Sequence, residues 1–304
     1  MPRRVPLICS SLGGLLAALA GCGSAPAVVP PGDPAEALAL ADRLLKTDPA
    51  AACSLLEGLD PDAMPRAERA GHAALYAEAL LQTGEPWDGF EQIRSFGEDH
   101  RFSEWMPRVE DTHFRIGRQL IESDASWFIF GSDRDDGEIV LQEFVERYSA
   151  NPHVPDALRL LGDLAFDEER WQEARRRYEQ ILAESPGSEW APLAAFRRVM
   201  SIHADLLGPE YDLPEMLRAR NELRDYLATE PEREDFRAPA AAALAEVDDW
   251  VGQRHMIDAE FYRTVGNEPG ERFHLERLIG DTPTHSLVPV AKERLARLDA
   301  GRPQ

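Results

Sequence analysis

Between residues 155 and 186 the apolar positions follow a helical period, pause, and resume. The stretch reads PDALRLLGDLAFDEERWQEARRRYEQILAESP. Apolar or small residues fall at Leu158, Leu161, Gly162, Ala165 and Phe166, the i, i+3, i+4, i+7, i+8 spacing of one buried helix face. A polar run, DEER, follows. A second stripe then falls at Trp171, Ala174, Tyr178, Ile181 and Leu182. Pro155 suits a first helical turn, where its missing N–H costs nothing. Pro186 and Gly187 cannot continue the second helix. The pattern predicts two short antiparallel helices and a stop. The same reading predicts helices over residues 35–46, 49–59, 66–82 and 87–96, with Gly84-Glu85-Pro86 as a turn. It predicts one unusually long helix starting near Pro239, with Leu244, Val247, Val251, Ile257, Phe261 and Val265 on one face. Residues 289–298, where Lys and Arg alternate with apolar positions, read as a solvated capping helix. Sustained period-2 alternation bounded by hairpin turns is absent from the sequence.

The central stretch resembles a tetratricopeptide repeat. The motif carries a large apolar residue, a Leu-Gly pair, a small residue, an aromatic and a closing Pro at fixed offsets. Here these are Leu158, Leu161-Gly162, Ala174, Tyr178 and Pro186, with Trp171 opening the second helix. Two helices cross closely only where a side chain is nearly absent, and Gly162 and Ala174 supply the two sides of such a crossing. Ala165 departs from the motif, which has an aromatic there; Phe166 is placed to take that role. The resemblance implies an all-α fold, a right-handed solenoid of tetratricopeptide-like antiparallel helical hairpins.

The chain begins differently. Residues 1–21 carry Arg3 and Arg4 and then an uncharged apolar run from Leu7 to Ala20, too short for a permanent membrane span. The run ends in Leu19-Ala20-Gly21-Cys22, which resembles the lipobox of bacterial lipoproteins. The resemblance implies cleavage before Cys22 and a lipid on its sulfur; the alternative is an ordinary signal peptide with an incidental Cys. Two or three acyl chains anchor stably where one does not. Residues 22–34, polar and rich in Pro, read as a flexible tether. Gly23, next to the lipidated position, is not the Asp that retains many such proteins at the inner membrane, which favours the outer membrane, facing the periplasm.

The formal charge is −22. Removal of residues 1–21 takes two arginines and no acid, leaving the rest more negative still. Such a balance opposes binding to nucleic acid or to anionic lipid through a general field. Of three cysteines, Cys9 leaves with the signal and Cys22 is lipidated, so no disulfide framework or cysteine metal site remains. Cys53, within AAACSLLEGL, reads as a small core residue. The 23 prolines and 21 glycines, scattered at intervals, indicate many short elements.

The prolines also recur in a pattern. Ser103-Glu104-Trp105-Met106-Pro107 is echoed by Ser188-Glu189-Trp190-Ala191-Pro192. Pro, one residue, then Ala occurs at Pro155, Pro192, Pro239 and Pro289, each after a turn Pro at Pro152, Pro186, Pro231 and Pro283. Helix starts 37 to 50 residues apart indicate stacked helical hairpins with long loops. The extra length lies in inserts at residues 123–136, 208–214 and 266–270. A lipobox followed by long-spaced hairpins is similar to the BamD (YfiO) family of outer-membrane assembly lipoproteins. The C-terminal order carries the likeness best: Leu223-Arg224-Asp225-Tyr226-Leu227, a turn, Arg237-Ala238-Pro239, then a helix with His255-Met256, Ala259 and Phe261-Tyr262. The resemblance covers about residues 131–298 and departs over residues 33–101. It implies a scaffold and not an enzyme, with a BamA-like barrel subunit or unfolded outer-membrane proteins as partners. A repeat lipoprotein of peptidoglycan or polysaccharide export machinery is the alternative function.

Chemistry-bearing motifs are few. No P-loop, H-E-x-x-H or G-x-S-x-G occurs, and the eight histidines are dispersed. No cofactor, metal or small-molecule substrate is expected. Asp136, Gly137, Ile139 and Glu143 match part of a calcium loop, but Arg134 occupies a ligand position; the simpler reading is a loop whose Asp135 or Asp136 caps the next helix. Trp127-Phe128-Ile129-Phe130 is apolar and lies in an insert. It reads either as a loop folded onto a hairpin or as a contact for a partner, through Trp127, Phe128 and Phe130. The domain order that results is a signal over residues 1–21, a tether over 22–34, an N-terminal helical region over 35–101, and a repeat domain over 102–304.

Overall fold

The structure, a computed structural model, describes residues 31–123, 133–229, 231 and 233–300. Among these it is all-helical, without a strand. The helices are α1 (Pro34–Leu44), α2 (Pro49–Glu57), α3 (Arg66–Thr83), α4 (Pro86–Ile93), α5 (Phe96–Asp99), α6 (Met106–Glu122) and α7 (Asp133–Arg147). They continue as α8 (Val154–Asp167), α9 (Trp171–Glu184), α10 (Ala191–Ala204), α11 (Leu213–Ala228), α12 (Glu234–Thr264), α13 (Glu268–Asp281) and α14 (Val288–Ala300).

Each helix packs chiefly on its neighbours in the chain, next on the helix two places away. The apolar core is accordingly a series of clusters. Leu38, Leu55 and Leu75 join α1, α2 and α3. Leu81, Phe90, Ile93 and Ile116 join α3, α4 and α6. Phe114, Phe144, Leu158, Leu161 and Tyr178 join α6 to α9. Val199, Met216, Leu223 and Val247 join α10, α11 and α12. Ala259, Leu275 and Ala291 join α12, α13 and α14. Burying apolar area at about 25 cal/mol per Å² drives each junction.

Arginines reinforce the joints between hairpins. Arg108 on α6 reaches Asp42 on α1 at 2.5 Å and Glu78 on α3 at 2.7 Å. Arg170, just before α9, grips Glu138 on α7 with two bonds of 2.9 Å. Such a fork-to-fork pair fixes relative orientation as well as adding energy.

Within α8 and α9, Leu158, Leu161, Ala174 and Tyr178 are buried. A Cβ on Gly162 would lie 2.8 Å from Tyr178 Cε1, so the ring occupies the space a side chain would need. The Tyr178 hydroxyl donates to Asp163 Oδ1 at 2.7 Å. The α8 helix ends in a left-handed residue, Glu169, with φ 59°. Arg170 N donates to Ala165 O at 2.8 Å across it. Glycine normally takes this position because it has no Cβ to strain.

Several elements differ from the sequence expectation. The helix expected over residues 87–96 is two pieces, α4 and α5, broken at Arg94-Ser95. The long helix starts at Glu234, five residues before Pro239, and Pro239 lies inside it. As the sixth residue of α12, Pro239 leaves Asp235 O without its i+4 donor and crowds that carbonyl, a cost absent in a first turn. Pro107, Pro155, Pro192 and Pro289 do sit in first turns. Asp135 and Asp136 do not precede a helix but lie in the first turn of α7, where acids suit the positive helix end. Asp136, Gly137, Ile139 and Glu143 are all within this helix, which excludes a calcium-loop conformation for them.

Gly162→Val is expected to lower unfolding free energy by about 2 kcal/mol or more, read by urea denaturation, because Tyr178 cannot withdraw from its buried site. Glu169→Gly is expected to raise it by about 1 kcal/mol in the same assay, since the exposed Glu169 side chain forms no ion pair and its backbone strain is relieved.

Candidate protein-docking surface

The residues singled out in the sequence fall into three places. Leu158, Leu161, Gly162, Ala174 and Tyr178 are internal and hold α8 to α9; none faces a partner. Burial, and then the neighbouring Asp163, push the Tyr178 phenol far above its ordinary value, so it stays protonated. Trp171 is half-buried at the start of α9, with Phe166 edge-on to its ring at 4.9 Å. Phe166 is itself covered by the Arg197 guanidinium at 4.6 Å. Pro186 is exposed in the turn after α9. Cys22, Trp127, Phe128 and Phe130 lie outside the described residues, as do the signal segment and most of the tether.

The surface that sequence periodicity missed is on α12. Its first half behaves as expected: Val247 and Val251 are fully buried against α10 and α11. Its second half does not. Gly252, His255 and Ala259 face inward there, and Ile257, Phe261 and Val265 are 40%, 60% and 58% exposed. These three, at i, i+4 and i+8, form an outward apolar stripe. Phe273 on α13 is exposed as well. The rings of Phe261 and Tyr262, Tyr262 and His274, and His274 and Phe273 follow one another at 5.4, 5.4 and 5.1 Å.

Polar contacts frame the stripe. Arg254 donates to Glu210 O at 2.8 Å and so ties the loop after α10 to α12; exposed Tyr211 adjoins that contact. Arg254 also pairs with Asp258 at 2.9 Å. Glu260 pairs with Arg263, and with Arg294 of α14 at 3.1 Å. A row of large apolar side chains with an ion-paired rim is the composition of a protein-binding patch.

Beneath it, α12 and α13 meet through two imidazoles. His255, 2% exposed, and His274 bring their Nδ1 atoms to 3.2 Å, one donating and the other accepting. His255 Nε2 lies 3.5 Å from Asp281 Oδ2, close enough for charge interaction but without a hydrogen bond. Burial lowers the His255 pKa first and His274 lowers it further, against the opposite pull of Asp281 and Asp258. Burial also lowers His274, opposed by Asp258 and assisted by Arg254. The pair is neutral at pH 7. A third histidine, His113 on α6, is fully buried and donates through Nε2 to Val140 O at 3.0 Å. Burial pushes its pKa down to about 4.

Among the described residues no group of three or more His, Cys, Asp and Glu side chains is placed to hold a metal ion. Of the two acids beside the histidine pair, Asp258 pairs with Arg254 and Asp281 lies 3.6 Å from Arg277. No described helix is long and apolar enough to cross a membrane.

Comparison with protein-family models finds no match. A comparison with curated proteins also finds none.

A histidine whose folded pKa lies below its unfolded value of about 6.5 binds fewer protons folded than unfolded. Its contribution to stability is complete above pH 6.5 and is lost as pH falls toward the folded pKa. Acidification from pH 7.5 to pH 5 is therefore expected to lower the urea midpoint. His113 alone would contribute a loss of roughly 3 kcal/mol once pH reaches about 4. His274→Gln is expected to flatten the part of the profile that His255 and His274 share.

Proposed function

We propose that this chain is a lipid-anchored, periplasm-facing scaffold that binds proteins during outer-membrane protein assembly, in the manner of the BamD-like lipoproteins it resembles. In this reading the sequence-ordered hairpins are tetratricopeptide-like and continue as a right-handed solenoid. The tight α8–α9 crossing at Gly162 and the neighbour-on-neighbour packing support that architecture. Cys22, through the lipobox resemblance, supplies the anchor to the outer membrane. The tether of residues 22–34 then holds an acidic body away from a negatively charged surface.

The observation that carries a binding role is the exposed stripe of Ile257, Phe261 and Val265 with Phe273 beside it. Apolar side chains exposed singly are ordinary, whereas a contiguous row of them marks a contact surface. A row at i, i+4 and i+8 presents a helix face to a groove or to another helix. The partner expected from the resemblance is a BamA-like barrel subunit or an unfolded outer-membrane protein.

Affinity capture from detergent-solubilised envelopes, using the full-length lipidated chain, tests the proposal. Retrieval of a BamA-like barrel protein supports it. Retrieval only of peptidoglycan-synthesis or polysaccharide-export proteins would overturn it. Ile257→Ser with Phe261→Ser is expected to reduce retrieval about tenfold or more while leaving the urea midpoint unchanged, since neither side chain is buried.

A further inference from the structure

A cleft of about 470 Å³ opens where the start of α9, the end of α10 and the start of α11 converge. That volume falls in the range of small-ligand sites. Its walls combine cations with apolar surface. Arg175 and Arg176 come from α9 and Arg218 from α11, while Trp171, Ile202 and Leu206 supply the apolar part.

These arginines are incompletely neutralised. Arg176 is exposed and forms no ion pair among the described residues. Arg175 Nε lies 3.3 Å from Glu179 Oε1, yet it is buried from solvent and its angle to that oxygen makes no hydrogen bond. Arg218 pairs only with its helical neighbour Glu215. Asp205, the other acid in the wall, accepts a long 3.4 Å bond from Gln172. The wall itself holds three arginines and two carboxylates, with Glu179 beside Arg175 just outside it, so Arg176 is the cation left without a carboxylate among the described residues.

The backbone adds to the same field. Neither cap side chain, Arg170 of α9 or Asp212 of α11, accepts a hydrogen bond from a backbone N–H of its first turn. The start of α9, at Trp171 and Gln172, and the first turn of α11, at Glu215, border the cleft, and the acids Glu173 and Glu215 in those turns offset part of each positive helix end. An unpaired guanidinium in the wall, that of Arg176, suits an anion. The indole and aliphatic wall selects for an apolar group attached to that anion.

We infer that this cleft binds a small organic oxyanion, a carboxylate or phosphate group carrying an apolar substituent, with Arg176 and Arg218 as its principal cations. The oxyanion lies against the guanidinium groups. Its substituent packs on Trp171, Ile202 and Leu206. The site is separate from the α12 stripe and does not depend on the scaffold reading.

Isothermal titration of the full chain at low salt tests it with phenyl phosphate, phenylacetate, inorganic phosphate, acetate and benzylamine. Saturable binding of phenyl phosphate or phenylacetate is expected, stronger than that of inorganic phosphate or acetate, with none for benzylamine. The better of the two aromatic anions identifies the oxyanion. Arg176→Gln with Arg218→Gln is expected to weaken binding about tenfold or more without changing the urea midpoint, because both side chains are exposed. Glu215→Gln, which releases Arg218, is expected to tighten binding several-fold, a gain that misfolding cannot imitate. Absence of saturable binding by every anion overturns the inference. So does unchanged affinity in both the double variant and Glu215→Gln, which would place the bound anion elsewhere.

Discussion

Two helices approach only as near as the atoms between them permit, and this chain depends on places where those atoms are missing. Gly162 admits the Tyr178 ring between α8 and α9. Gly117 on α6 likewise lets Leu141 of α7 come so close that a Cβ would lie 2.4 Å from it. Short helices bury too little surface to tolerate a loose joint. A close crossing lets the two helices share one buried face and presents a second face to the next helix in line. The order of packing follows from that: each helix covers its predecessor and needs its successor.

This dependence explains where charge has been placed. Arginine joins elements that apolar clusters alone would leave free to pivot. Arg108 draws α1, α3 and α6 together, and Arg170 fixes α9 on α7. Exposed pairs of this kind contribute little energy singly, and networks that span three elements contribute mostly geometry. In a chain so rich in acids, arginine left without a full set of partners stands out, as at the cleft beside α9. The inward histidines have a different place. His113 and His255 fill core positions as neutral rings and His274 is half-buried beside His255, which couples packing to pH.

The stripe on α12 shows how a helix changes its buried side along its length. Near Val247 the helix lies against α10 and α11; from Gly252 onward it lies against α13. The side covered by one set of neighbours is not the side covered by the other. Ile257, Phe261 and Val265 continue the apolar pattern past the point where its cover ends. A continuous stripe in sequence is therefore a core in one half and a surface in the other.

What the amino-acid order determined by itself was local. Period and punctuation marked most helices, because a 3.6-residue apolar repeat and a proline in a first turn act within one element. A close approach at Gly162 was legible too, but the group nearest it is the Tyr178 ring and not the expected Ala174. Tertiary structure alone decided the rest. It started α12 before Pro239, which therefore lies inside the helix, and it drew Asp136 and Glu143 into a helix that a short loop motif could not foresee. It decided which apolar residues of α12 are covered, which histidines meet, and which arginines share a cleft. Those outcomes depend on residues far apart in the chain, and periodicity describes only one helix at a time.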